Sequence, residues 1–179
     1  MVDANLRQML QQTAYVDRAE IGTSRLDPLS PEWVRQTGPL PALVQPLRGD
    51  LAATVAGKLP DATHVAYLEA GPKIVPGDGL VVESLVGELT EEADVGASQI
   101  TVTEEEWGPG DLVEIGEEAV LERFVVEATD RPVLELAGTL ALYHGTHERV
   151  AAVLRYEVLA VEDEGGQGHH LRVVLRGCG

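Results

Sequence analysis

The stretch that decides the fold is Arg155-Tyr156-Glu157-Val158-Leu159-Ala160-Val161-Glu162-Asp163-Glu164-Gly165-Gly166-Gln167-Gly168-His169-His170-Leu171-Arg172-Val173-Val174-Leu175. Two runs rich in β-branched and aliphatic residues flank an acidic turn that holds Gly165, Gly166 and Gly168, the local pattern of an antiparallel hairpin closing a small β domain. Tyr156, Val158, Gly165, Gly166, His169 and His170 are the candidate structural residues of this hairpin. His169 and His170, adjacent in the second strand, point to opposite faces because side chains alternate.

Working outward, the rest of the chain repeats this texture. Strands are expected at Thr13–Arg18, Pro41–Leu47, Thr63–Ala70 and Leu80–Ser84, with the Pro/Gly turn Gly71–Gly79 before the last. Beyond the acid-rich stretch Glu88–Asp94 come further short strands, Gln99–Thr103, Asp111–Ile115, Ala119–Thr129 and Val133–Leu136, separated by Gly108-Pro109-Gly110, Gly116-Glu117-Glu118 and Asp130-Arg131-Pro132. Short strands at this spacing predict an all-β chain: a small β-barrel or sandwich core with an inserted second β-barrel-like domain. Leu6, Met9 and Leu10 predict a short N-terminal helix or arm over residues 1–12. Ala19–Pro39, with five Gly or Pro residues, predicts a long loop in which Ser30-Pro31-Glu32 could open a helical turn and Trp33 argues for docking. Arg48–Ala62 is small, Gly/Ala-rich and predicted to be mobile. The expected domains are thus residues 1–12 as an arm, 13–84 plus 153–179 as a discontinuous barrel, and 95–152 as the insert.

Composition narrows the partners. Thirteen basic residues against thirty acidic give a formal charge of −17, with only Lys58 and Lys73 beside eleven arginines, which is a poor match for phosphate binding. An acidic wall would instead let DNA slide past without adhering. The chain is expected to be soluble and unsecreted, having no apolar run near the ~20 residues of a membrane span. Cys178 has no cysteine partner in the chain.

No cluster points to chemistry, so the chain is expected to be no enzyme and to carry no cofactor. Glu91-Glu92, Glu104-Glu105-Glu106 and Asp163-Glu164 are carboxylate groupings expected in so acidic a chain, and no calcium-loop pattern accompanies them. His144-x-x-His147 could ligate a metal but falls in a turn, and the rings of His169 and His170 diverge. Arg48-Gly49-Asp50 is a tripeptide that recurs by chance. No nucleophile elbow or phosphate loop is present.

The order of pieces resembles the tailed-bacteriophage head–tail joining proteins, also called stoppers or head-completion proteins. The matching pieces are a first strand and loop, Ala42-Leu43-Val44-Gln45-Pro46 with a glycine-rich loop, Ala62-Thr63-His64-Val65-Ala66-Tyr67-Leu68, the turn Ile74-Val75-Pro76-Gly77-Asp78, and the Tyr-x-Val, Gly-Gly, His-His hairpin. They cover residues 13–84 and 153–176. Two departures stand out: about seventy residues intervene between Asp78 and Arg155, and Gly79 occupies a position where the family often has arginine.

The resemblance implies a structural virion protein of the neck, made in the host cytoplasm, forming a homo-oligomeric ring of roughly six or twelve copies. A portal or adaptor ring would lie on its head side and a tail terminator or tail tube on its tail side, with DNA passing through the lumen without specific binding and no membrane involved. The implied channel-gating loop falls on Arg48, Gly49, Asp50, Leu51, Ala52, Ala53, Thr54, Val55, Ala56, Gly57 and Lys58, within Arg48–Asp61. Alternatives are a tail terminator or baseplate ring protein, and a receptor- or carbohydrate-binding module. Only Trp107, Phe124 and Tyr143 would serve the last within the insert.

Overall fold

The computed structural model describes residues 10–21, 31–69, 71–103, 106–163 and 170–178. Its strands are β1 (Gln12–Ile21), β2 (Pro31–Pro46), β3 (His64–Glu69), β4 (Gly79–Glu88), β5 (Gln99–Thr101), β6 (Leu112–Ile115), β7 (Glu122–Asp130), β8 (Val133–Leu136), β9 (Arg149–Asp163) and β10 (His170–Gly177). Helix α1 (Gly49–Ala56) joins β2 to β3, and a 3-10 turn (Glu118–Val120) precedes β7. The protein is all-β, with neighbours in the order β10-β3-β2-β1-β4-β9-β6-β7-β8-β5.

The chain packs as two units, Met1–Val82 with Arg155–Gly179, and Glu83–Leu154. The boundaries fall inside β4 and inside β9. The acidic residues of Glu88–Asp94, which the sequence left outside both β domains, therefore belong to the second unit.

In the first unit β10 pairs with both β3 and β9, so β10, β3, β2, β1, β4 and β9 close into a ring of strands. The hairpin register sets Val173 opposite Val161 on one side and Ala66 on the other. Alternation then sends Val16, Leu68, Leu80, Val158, Val173 and Leu175 into one buried cluster. In the second unit Leu89, just past β4, bridges Val102, just past β5, while Thr90 N–H donates to Thr101 O at 2.9 Å and Thr103 N–H to Glu88 O at 3.0 Å. These bonds close its strands also, around Leu89, Trp107, Ile115, Leu134, Leu136 and Leu140.

Three local expectations are corrected. Ala19–Pro39 is not a long loop: β1 runs on to Ile21 and β2 already begins at Pro31, with Trp33 opposite Ala19. Proline lacks an N–H, and β2 has a neighbour on its second edge only from Ala42 to Pro46, so most of its prolines sit where no second ladder needs that donor. Shifts in the β1–β2 register at Val16 take up the irregular Gly38-Pro39 segment. For the same reason Pro31 and Glu32 lie in β2 rather than in a helical turn.

The third correction concerns Arg48–Ala62, where residues Gly49–Ala56 form a helix in place of the expected irregular loop. Gly49 enters at φ +59°, a conformation glycine adopts without penalty, and the alanines that follow are the strongest helix formers. Of the expected N-terminal helix, residues 1–9 lie outside the described residues, and Gln12 already belongs to β1.

Candidate functional site

The candidate loop and the closing hairpin meet at one edge of the first unit. Leu47 N–H donates to Thr63 O at 2.9 Å and Thr63 N–H to Leu175 O at 2.9 Å, which ties the two ends of the β2–β3 connection to each other and the Thr63 end to β10. Gly177 N–H adds a bond of 2.9 Å to Thr63 Oγ1. Between these anchors Arg48 is extended, Val55 is buried, and Ala53, Thr54, Gly57 and Lys58 are exposed. The helix ends with Gly57 N–H on Ala53 O at 3.3 Å and with Lys58 and Leu59 N–H both on Val55 O. Arg176 of β10 pairs with Glu157 and stands 3.6 Å from Asp61, tying the far end of the connection to the hairpin by charge.

Within the hairpin, Tyr156 and Val158 both belong to the buried cluster of the first unit. Tyr156 meets the ring of His64 edge-on, centroids 4.9 Å apart at 61°, and burial pushes its hydroxyl above the usual range. His170 opens β10 opposite Glu69 and is half-buried. Gly165, Gly166 and His169 lie outside the described residues.

Several residues whose partners the sequence did not reveal organise this unit. Asp78, the last residue of the Pro-Gly-Asp turn, is buried and receives both Nε and Nη2 of Arg18 at 2.7 Å, plus Val75 N–H at 2.9 Å. Burial alone would raise its carboxyl, but those bonds outweigh it and hold the group below its ordinary 3.8. Asp17 is likewise buried and bonded by Arg35 Nε at 3.2 Å, while Arg35 also lies 4.0 Å over the Tyr15 ring. Gly38 is needed there, since a Cβ would fall 2.3 Å from Tyr15 Cδ1. Arg155 covers Trp33 at 3.9 Å, and the ring passes so close to Gly79 that a Cβ would meet Cζ3 at 3.3 Å. The docking expected of Trp33 is thus to Arg155 and Gly79, and the glycine standing where the resemblance leads one to expect arginine has a packing reason.

In the second unit His144 and His147 separate. His144 is fully buried, its Nε2 2.9 Å from Glu122 Oε2 and its Nδ1 3.2 Å from Glu148 Oε1, whereas His147 is exposed beside Glu88. Glu122 also accepts Ala141 N–H at 2.8 Å and Leu142 N–H at 2.9 Å. Burial pushes its carboxyl up, but these two amides and His144 prevail and hold it below its usual 4.5. Glu114 is buried against Arg123 at 2.7 Å. Among the described residues no three His, Cys, Asp or Glu side chains converge as a metal site, and no helix is long and apolar enough to cross a membrane. Trp107 is in the core and Phe124 packs against it, so only Tyr143 of the insert's aromatics presents an exposed ring. No family model matches the chain, and no curated protein matches it.

Proposed function

We propose that this chain is a structural subunit of a tailed-phage neck, a head–tail joining protein that forms a ring between the portal or adaptor and the tail. The observation that carries the reading is that the described parts of the segments resembling that family, β1, β2, β3, the Asp78 turn and the β9–β10 hairpin, build one ring of strands. A chance collection of weak motifs would have no reason to share one core. The interior of that ring is filled by side chains, so a DNA channel has to be formed between copies rather than through one. A head-to-tail interface that closes on itself produces such a channel, and a charge of −17 per copy keeps phosphates from adhering to its wall. In this reading Arg48–Lys58 is the element that closes the channel after packaging, with Thr63 and Leu175 as its fixed base.

The test is native mass spectrometry and negative-stain imaging of the purified chain, with and without portal–adaptor particles of the same phage. A closed ring, alone or on the particles, is the expected outcome. A chain that stays monomeric in both conditions and binds glycans on an array would sink the proposal in favour of a receptor-binding module. The scarcity of exposed aromatic rings in the second unit argues against that alternative.

A further inference from the structure

The β1–β2 ribbon is longer than the strands that flank it. β1 and β2 pair from Gln12 with Ala42 to Ile21 with Pro31, yet β4 covers β1 only from Ala14 to Asp17 and β3 covers β2 only from Ala42 to Pro46. Among the described residues, Arg18–Ile21 of β1 and Pro31–Pro41 of β2 therefore have no strand along their outer edges. Pro31, Pro39 and Pro41 lack an N–H, but between them Glu32–Gly38 is a run of seven residues that all carry one. Natural edges of this kind are blunted by lysine, and β2 contains none. The run is also held in place: Trp33 lies under Arg155 and against Gly79, while Arg35 reaches Asp17 and covers Tyr15. A strand fixed in this way loses little freedom when another pairs with it.

Charge decides what can occupy such an edge. The first unit holds ten basic residues against thirteen acidic, net −3, whereas the second holds three against seventeen, net −14. Copies of so acidic a chain repel one another, and the repulsion is least where first unit meets first unit. Within Glu32–Gly38 the only charged residues are Glu32 and Arg35, and Arg35 is paired with Asp17. On β1 the Arg18 side chain is turned back onto Asp78, and Ala19 and Glu20 are exposed. We propose that a second copy of this chain occupies the edge, with Arg18–Ile21 of one copy adding to Glu32–Gly38 of the next through main-chain hydrogen bonds. The two edges differ and belong to one ribbon, so the contact is head-to-tail, and its repetition closes a ring. Val34, 37% exposed, and Gln36 stand on the open face of β2, where the neighbour's side chains fall beside them. This inference rests on the ring of the neck reading and adds the surface through which that ring closes.

The test compares the full chain with a variant carrying Val34→Lys and Gln36→Lys, by native mass spectrometry and hydrogen-exchange mass spectrometry, free and on portal–adaptor particles of the same phage. Assembly of the parent should slow exchange in both 18–21 and 32–38. The variant should need about tenfold more protein to assemble, or fail to assemble. General electrostatics predicts the opposite, since two added lysines reduce the charge of a −17 chain and would ease its self-association. Both positions are exposed, so exchange in β3, β9 and β10 is expected to match the parent, and the parent's own protection carries the test if it does not. A ring in which exchange at those two segments is unchanged, or which a folded variant forms equally well, overturns this interface and leaves the neck reading standing. A dimer protected at 32–38 alone would reveal two-fold pairing of β2 with β2 and overturn it too. A chain that forms no ring in either condition ends both.

Discussion

At the scale of single residues, carboxylates bonded to partners far along the chain anchor a turn in each unit. Asp78 fixes a Pro-Gly turn to β1 through Arg18, and its replacement by asparagine keeps an acceptor for Val75 but loses the charge. Asp78→Asn is expected to destabilise the first unit by about 2 kcal/mol in urea unfolding at pH 7. Because the folded-state carboxyl lies below its ordinary 3.8, its contribution is complete above that value and lost as pH falls through the folded one. The mutant and the parent should therefore converge in stability toward strongly acidic pH, and a constant difference would refute the assignment. Glu122 has the same sign around its ordinary 4.5. Glu122→Gln should speed hydrogen exchange at Ala141 and Leu142 at neutral pH, leaving amides of β10 unaffected. Gly116 is a steric case: it sits at φ +80°, and a Cβ would lie 2.6 Å from Val120 O and 2.9 Å from Glu148 Oε1. Gly116→Ala is expected to cost about 2 kcal/mol or more, measured by thermal unfolding. None of these roles was legible in the sequence, since each depends on a partner tens of residues away or on a backbone angle.

At the scale of elements, the hairpin was readable and the helix was not. Residues 155–175 announce themselves because two β-rich runs flank a glycine turn, and alternation puts Tyr156 and Val158 on the inner face. Helix α1 was hidden by its glycines, although Ala52, Ala53 and Ala56 supply the propensity that orders it between the anchors at Leu47 and Thr63. Exposed Ala53 tests this balance: Ala53→Gly should lower the local stability of α1 by about 1 kcal/mol. Faster exchange of the Gly57 and Lys58 amides, with β3 and β10 unchanged, is the expected readout. The β1–β2 ribbon was missed for a different reason. Glycine and proline speak for a loop when read locally, whereas long cross-strand pairing from Gln12 to Ile21 overrides them wherever the second edge carries no neighbour.

At the scale of the whole molecule, each unit has its own buried cluster and its own closed strands, and the chain passes from one to the other within β4 and returns within β9. Joining Val82 to Arg155 through a short Gly-rich turn in place of Glu83–Leu154 should leave a cooperatively folding barrel with dispersed amide resonances. A molten or unfolded product would mean that the first core depends on the second. The sequence by itself determined the all-β class, the acidity that disfavours nucleic-acid binding and the closing hairpin, because period-two alternation, net charge and glycine turns are local properties of the chain. Only the tertiary structure decided that β10 reaches β3, and that Asp78 and Glu122 are anchored by groups far along the chain. Those facts rest on pairings between residues far apart in sequence, whose energies exist only once the strands have closed.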